Sequence, residues 1–129
     1  MINGRAKGHA FERELIKKFQ DEFGDCADHL KRNLDQYQVA GKADIEFNNL
    51  MIEAKRYASG RWHKDCWWEQ AMTSAGENYI PVLIYKYDHQ PIKFVFGLSD
   101  LTGDRYLTGT ATVDYATGIM LMRELLKFP

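Results

Sequence analysis

At 129 residues, the chain is long enough for one domain with a single modest core. With 45% hydrophobic and 27% charged residues it reads as an ordinary globular protein, not a disordered one. The net charge of −1 gives no overall basic attraction to nucleic acid, and no apolar run approaches the ~20 residues that span a bilayer.

There is no signal-peptide apolar stretch, and the two cysteines, Cys26 and Cys66, are too few for a secreted disulfide scaffold. The expectation is an intracellular, cytoplasmic protein with reduced thiols (host cytoplasm if viral). Charge is unevenly placed. Residues 1–19 carry Arg5, Lys7, Arg13, Lys17 and Lys18 against Glu12 and Glu14, whereas 97–118 carry Asp100, Asp104 and Asp114 against Arg105 alone. A basic end of this kind can form one polyanion-binding face.

In chain order, Phe11, Leu15, Ile16, Phe19 and Phe23 recur at helical spacing and predict a helix over 10–23, with Gly24 as its stop. Glu12 lies beside that apolar stripe, at the edge of the core. Residues 27–42 are polar and mixed, with Gly41 marking a turn. Residues 44–47 and 50–55 read as two strands joined by Asn48-Asn49, a hairpin signal. A second helix is expected over 62–75, then a buried strand over 80–87 and another over 92–96. Beyond Gly97 the pattern weakens to a strand at 110–115 and an apolar closing helix at 119–128. This order predicts an α/β (mixed α+β) fold with a central mixed sheet flanked by helices, as a single domain over 1–129.

The sharpest chemical feature is Glu53-Ala54-Lys55, with Asp44 in the preceding strand. Strand side chains alternate, so Glu53 and Lys55 leave the same face, and Asp44 joins them if the register allows. Paired carboxylates make a hard oxygen site suited to Mg²⁺, with Mn²⁺ able to substitute. Such an ion acidifies a bound water and polarises a phosphodiester, while Lys55 steadies the attacking water or the developing charge. Glu12 would complete the metal's coordination from the first helix. An exposed E-x-K pair worth ~0–1 kcal/mol is the bland alternative. Leu50, Met51 and Ile52 weigh against it, because they carry a buried strand straight into Glu53.

The stretch Lys7-Gly8-His9-Ala10-Phe11-Glu12-Arg13-Glu14-Leu15-Ile16-Lys17-Lys18-Phe19, followed by Gly41, Asp44, Glu53, Lys55 and Ile80-Pro81-Val82-Leu83, resembles the archaeal-type Holliday-junction resolvases of the PD-(D/E)xK nuclease superfamily. The similarity covers about residues 5–96. It implies a restriction-endonuclease-like core, two-fold homodimers with two active sites, and Mg²⁺-dependent cleavage of four-way DNA junctions. Three departures are Ala43, where proline often precedes the aspartate, the long 24–40 segment, and residues 97–129, which match nothing in the family and read as a dimerisation or substrate-specific extension. Two other readings stand beside it: a nuclease of this superfamily acting on DNA ends, flaps or a specific duplex, and a non-catalytic DNA-binding module of the same fold.

Arg5, Lys7, Arg13, Lys42, Arg56, Arg61 and Lys64, together with Lys31 and Arg32, are candidate phosphate contacts. Glu46 shares a face with Asp44 but reads as a solvated strand residue. Gln70 is a candidate for a polar group facing the site. Trp62, Trp67 and Trp68 suggest core packing or a dimer face ahead of stacking on an unpaired base. Cys26-x-x-His29 and His63-x-x-Cys66 offer four zinc-type ligands, but on elements of different predicted type. No P-loop, dinucleotide fingerprint, G-x-S-x-G or H-E-x-x-H is present.

Overall fold

A computed structural model of the chain describes residues 4–30 and 44–128, with side chains from Lys7 onward in the first segment. Lys31, Arg32, Gly41, Lys42, Ala43 and the side chain of Arg5 lie outside the described residues.

Helix α1 (Gly4–Phe23) buries Phe11, Leu15, Ile16 and Phe19, the stripe the spacing predicts. It begins six residues earlier than the apolar periodicity reveals, because its first turns are polar. Gly24 ends it at φ +62°, a left-handed conformation that costs glycine little, and a 3₁₀ turn follows over Gly24–Ala27.

Strands β1 (Ile45–Phe47) and β2 (Leu50–Tyr57) form the expected antiparallel hairpin, and Asn48 takes a positive φ of 51° at its turn. Helix α2 (Asp65–Ala75) crosses over to β3 (Ile80–Tyr87), which pairs parallel to β2 along its whole length. Strand β4 (Lys93–Gly97) returns antiparallel and β5 (Thr110–Asp114) closes the five-stranded sheet in the order β1-β2-β3-β4-β5. Between them a short helix, α3 (Leu98–Thr102), occupies a stretch that carries no periodic apolar signal.

The last helix, α4 (Tyr115–Leu125), starts four residues before its expected position. Asp114 caps it, accepting from the Thr117 N–H at 2.9 Å and so satisfying one of the helix's unpaired first-turn donors. Gly118 lets α4 lie directly on β4, since a Cβ there would sit 2.3 Å from the Phe94 ring.

Helices cover both faces of the sheet. On one, α1 and α4 bury Ile45, Phe47, Leu50, Ile52, Val82, Ile84, Phe94 and Phe96. On the other, Trp67 and Ala71 of α2 pack against Leu83, Tyr85, Tyr87 and Val95. Each fully buried large side chain contributes roughly 1.5–3 kcal/mol, so these two layers fix how the strands lie. Among the described residues no helix is long and apolar enough to cross a membrane.

Candidate active site

The hairpin register assembles the first two acids. Ile45 pairs with Ile52, so the next step outward places Asp44 opposite Glu53. The backbone ladder stops there, and the Ala54 N–H donates instead to Asp44 Oδ2 at 2.8 Å. Asp44 and Glu53 also hydrogen-bond side chain to side chain. Glu53 is 1% exposed and Asp44 9%, so neither carboxyl decorates the surface.

Burial, reinforced by the neighbouring Glu53, pushes the Asp44 carboxyl up to about 8. Burial likewise raises Glu53, opposed by hydrogen bonds from Ser74 and Asp44 and by the Lys55 charge. The physical content is that two carboxylates cannot both stay ionised in a dry pocket without a compensating cation.

Glu53, Lys55 and Tyr57 leave the α2 side of β2, level with Leu83, Tyr85 and Tyr87. Helix α2 meets them with two side chains one turn apart. Gln70 Oε1 accepts from Lys55 Nζ at 2.8 Å, and Ser74 Oγ donates to Glu53 Oε1 at 2.9 Å. Gln70 therefore faces the site, as its helix position suggested. Ser74 was not singled out, although lying four residues after Gln70 on the same helix face was a usable signal. Glu53 Oε2 is buried and accepts no hydrogen bond.

Glu12 reaches this region from α1, is 4% exposed and acts electrostatically on both carboxyls. Among the described residues no group of three His, Cys, Asp or Glu side chains forms a metal-holding cluster. Asp44 and Glu53 meet closely, and the Glu12 charge acts on both from α1. The pair still fits a hard divalent cation, since it offers buried carboxylate oxygens and one of them, Glu53 Oε2, has no other partner.

The basic residues divide. Lys7 and Arg56, expected to contact phosphate, both bind Asp88, Lys7 at 3.1 Å and Arg56 through its guanidinium. They lower the Asp88 carboxyl below its usual range, Lys7 foremost. Arg13, Arg61 and Lys64 are exposed, and Lys64 Nζ also lies 5.9 Å from the Trp67 ring centre. Glu46 is exposed, in keeping with a solvated strand residue.

Cys26 and Cys66 are free and exposed, and His63 hydrogen-bonds Thr112, so the zinc alternative has no support among the described residues. The tryptophans separate as well. Trp67 is core, Trp68 is half-buried against it, and Trp62 is exposed.

Comparison with known proteins gives the family and the fold. A family model described as "Phage putative PDDEXK endonuclease" matches residues 3–119. Among solved structures, the chain is similar to Hjc of Archaeoglobus fulgidus, a Holliday junction resolvase from an archaeal hyperthermophile. The TM-score is 0.52 at 15% sequence identity, covering 91% of this chain and 99% of that one. At that identity the likeness shows the fold: a restriction-endonuclease-like core. No curated protein sequence matches.

Proposed function

The chain belongs to the phage PDDEXK endonuclease family, and from that premise we propose that it cleaves branched DNA of the four-way-junction type, using Mg²⁺ with Mn²⁺ as a substitute. What carries the reading is the meeting of two buried carboxyls, Asp44 and Glu53, beside an ammonium group on the same strand face.

Asp44 and Glu53 are the side chains that would hold the ion, with Glu12 adding negative potential from α1. Such an ion, when bound, supplies an acidified water and neutralises charge on the phosphate. Lys55 contributes a fixed cation where negative charge develops on the phosphorus oxygens, and Gln70 holds that ammonium in place. Ser74 occupies Glu53 Oε1 and so leaves Oε2 as the oxygen available for coordination. Arg13, Arg61 and Lys64, all exposed, would serve as phosphate contacts that position a duplex without reading bases.

The junction substrate and a two-fold homodimer are carried over from the resolvase-like fold. Ile119 and Met122 of α4 are buried within the chain, while Met120 on the same helix is 55% exposed.

The test is to offer one preparation a four-way junction, a flap and a linear duplex, each with and without Mg²⁺. Paired symmetric nicks in the junction are the expected result. Preferred cleavage of the flap or duplex would move the assignment to the other nuclease reading. Binding without nicking in any metal would leave a DNA-binding module.

A further inference from the structure

Immediately after the E-x-K strand, the chain holds an exposed aromatic surface in a fixed position. Tyr57 is 45% exposed and stacks on Trp67, with ring centres 5.2 Å apart and planes within 8°. Trp62 is 60% exposed, which is unusual for the largest apolar side chain in a small domain.

The loop bearing Trp62 is pinned from several sides although it lies at the surface. Tyr87 Oη donates to the Trp62 carbonyl at 2.6 Å, and Gln90 Nε2 donates to the Gly60 carbonyl at 2.7 Å. Gly60 has φ +149° and seats against the Tyr87 ring, where a Cβ would lie 2.4 Å from the nearest ring carbon. His63 bonds Thr112 on β5. These anchors hold an apolar ring in water, an arrangement that gains nothing from core burial.

Its surroundings point to the occupant. Arg61 and Lys64 flank Trp62, are exposed, and form no salt bridge with a carboxylate among the described residues. Tyr57 lies two residues beyond Lys55 on the same strand face, roughly 7 Å along the strand. That is about two base steps of ~3.4 Å. On α2, Trp67 sits one turn before Gln70, which holds Lys55. The aromatic surface and the candidate catalytic lysine thus adjoin along both β2 and α2.

We propose that Tyr57 and Trp62, flanked by Arg61 and Lys64, form a stacking platform for an unpaired nucleobase one or two nucleotides from the scissile phosphate. Aromatic faces accept any base, while the two cations hold the adjoining phosphates, so the platform recognises an unpaired strand and not a sequence. It gives the site a reason to prefer branch points, frayed ends or flaps over continuous duplex. The proposal rests on the nuclease reading for the position of the scissile phosphate.

The experiment measures binding in EDTA, where metal-dependent cleavage is off, by anisotropy of a labelled oligothymidylate and of a labelled, fully paired duplex. Trp62→Ala should weaken oligothymidylate binding by roughly 5- to 100-fold and leave duplex binding within about twofold. Trp62→Phe should restore most of the loss, and its melting temperature should match wild type. Arg61→Ala and Lys64→Ala should weaken both ligands and flatten the salt dependence.

The platform is overturned if Trp62→Ala leaves oligothymidylate affinity unchanged, or weakens both ligands equally. It is also overturned if that variant instead dissociates an oligomer, which would make Trp62 a contact between copies. If oligothymidylate binds through Trp62 but no DNA is nicked in Mg²⁺, the platform stands and the nuclease reading falls.

Discussion

Replacing Asp44 with asparagine should change how stability depends on pH, and the direction follows from the pocket. In the folded chain without metal, burial and Glu53 hold the Asp44 carboxyl at about 8, against 3.8 when unfolded. Between those values the folded state keeps a proton that the unfolded state has lost. Stability therefore falls as pH rises. The contribution is complete below 3.8 and is lost as the pH passes through about 8, at roughly 1.4 kcal/mol per pH unit in between. An asparagine cannot ionise. Its Oδ1 can accept from the Ala54 N–H and its Nδ2 can donate to Glu53, reproducing the protonated carboxyl.

From pH 5 to pH 8 in EDTA, the wild type should lose about 4 kcal/mol more than Asp44→Asn. For a chain of this size that is a divergence of about 10–20 °C in Tm. Thermal melts of both proteins across that range measure it. Adding Mg²⁺ at about 100 times its Kd should return ~2.7 kcal/mol to the wild type at pH 8 and nothing to the variant. Parallel pH curves for the two proteins, or an asparagine variant less stable at pH 8, would refute the shared-proton picture of the pair.

Three further outcomes follow from the same coordinates. Lys55→Ala should reduce cleavage by 10²-fold or more while leaving junction affinity within a few-fold, as read by single-turnover rates beside gel-shift titration. Ser74→Ala frees Glu53 Oε1, so the Mg²⁺ concentration for half-maximal stabilisation in thermal melts should rise about 10-fold, and Ser74→Thr should recover most of it. Gly118→Ala forces a methyl group into the Phe94 ring and should cost about 1–3 kcal/mol by urea unfolding, with no change in the Mg²⁺ requirement of the surviving folded protein.

What could be read from the sequence was local. The strand over 80–87 was legible to the residue, because eight mostly apolar residues bounded by turn signals leave a buried strand little freedom. Glu53 and Lys55 on one face followed from strand alternation alone. Helix starts were harder: α4 begins at a capping aspartate, Asp114, that no apolar spacing marks, and α3 is too short to show a period. Long-range pairing was invisible. Asp88 takes both Lys7 and Arg56, which are 81 and 32 residues away, and nothing in the local pattern at any of the three announces it. Glu12's place beside the apolar stripe correctly implied burial, while its approach to Asp44 and Glu53 depends on how α1 docks, which spacing cannot encode.

One dependency joins the C-terminal quarter of the chain to the chemistry. Asp44 meets Glu53 only because the hairpin turn holds two residues, and a slip of one would send Asp44 to the opposite face. That turn does not stand alone. Asn49 donates to the Leu125 carbonyl and accepts from the Lys127 N–H, both at 2.9 Å, and Asn48 donates to the Lys127 carbonyl at 3.1 Å. The backbone of Leu125 and Lys127, at and just after the end of α4, thus clamps the turn that sets the register. Cutting the chain before Leu125 should therefore loosen the Asp44–Glu53 pair before it unfolds the sheet, and the pH-dependent melting described above would flatten in the shortened protein.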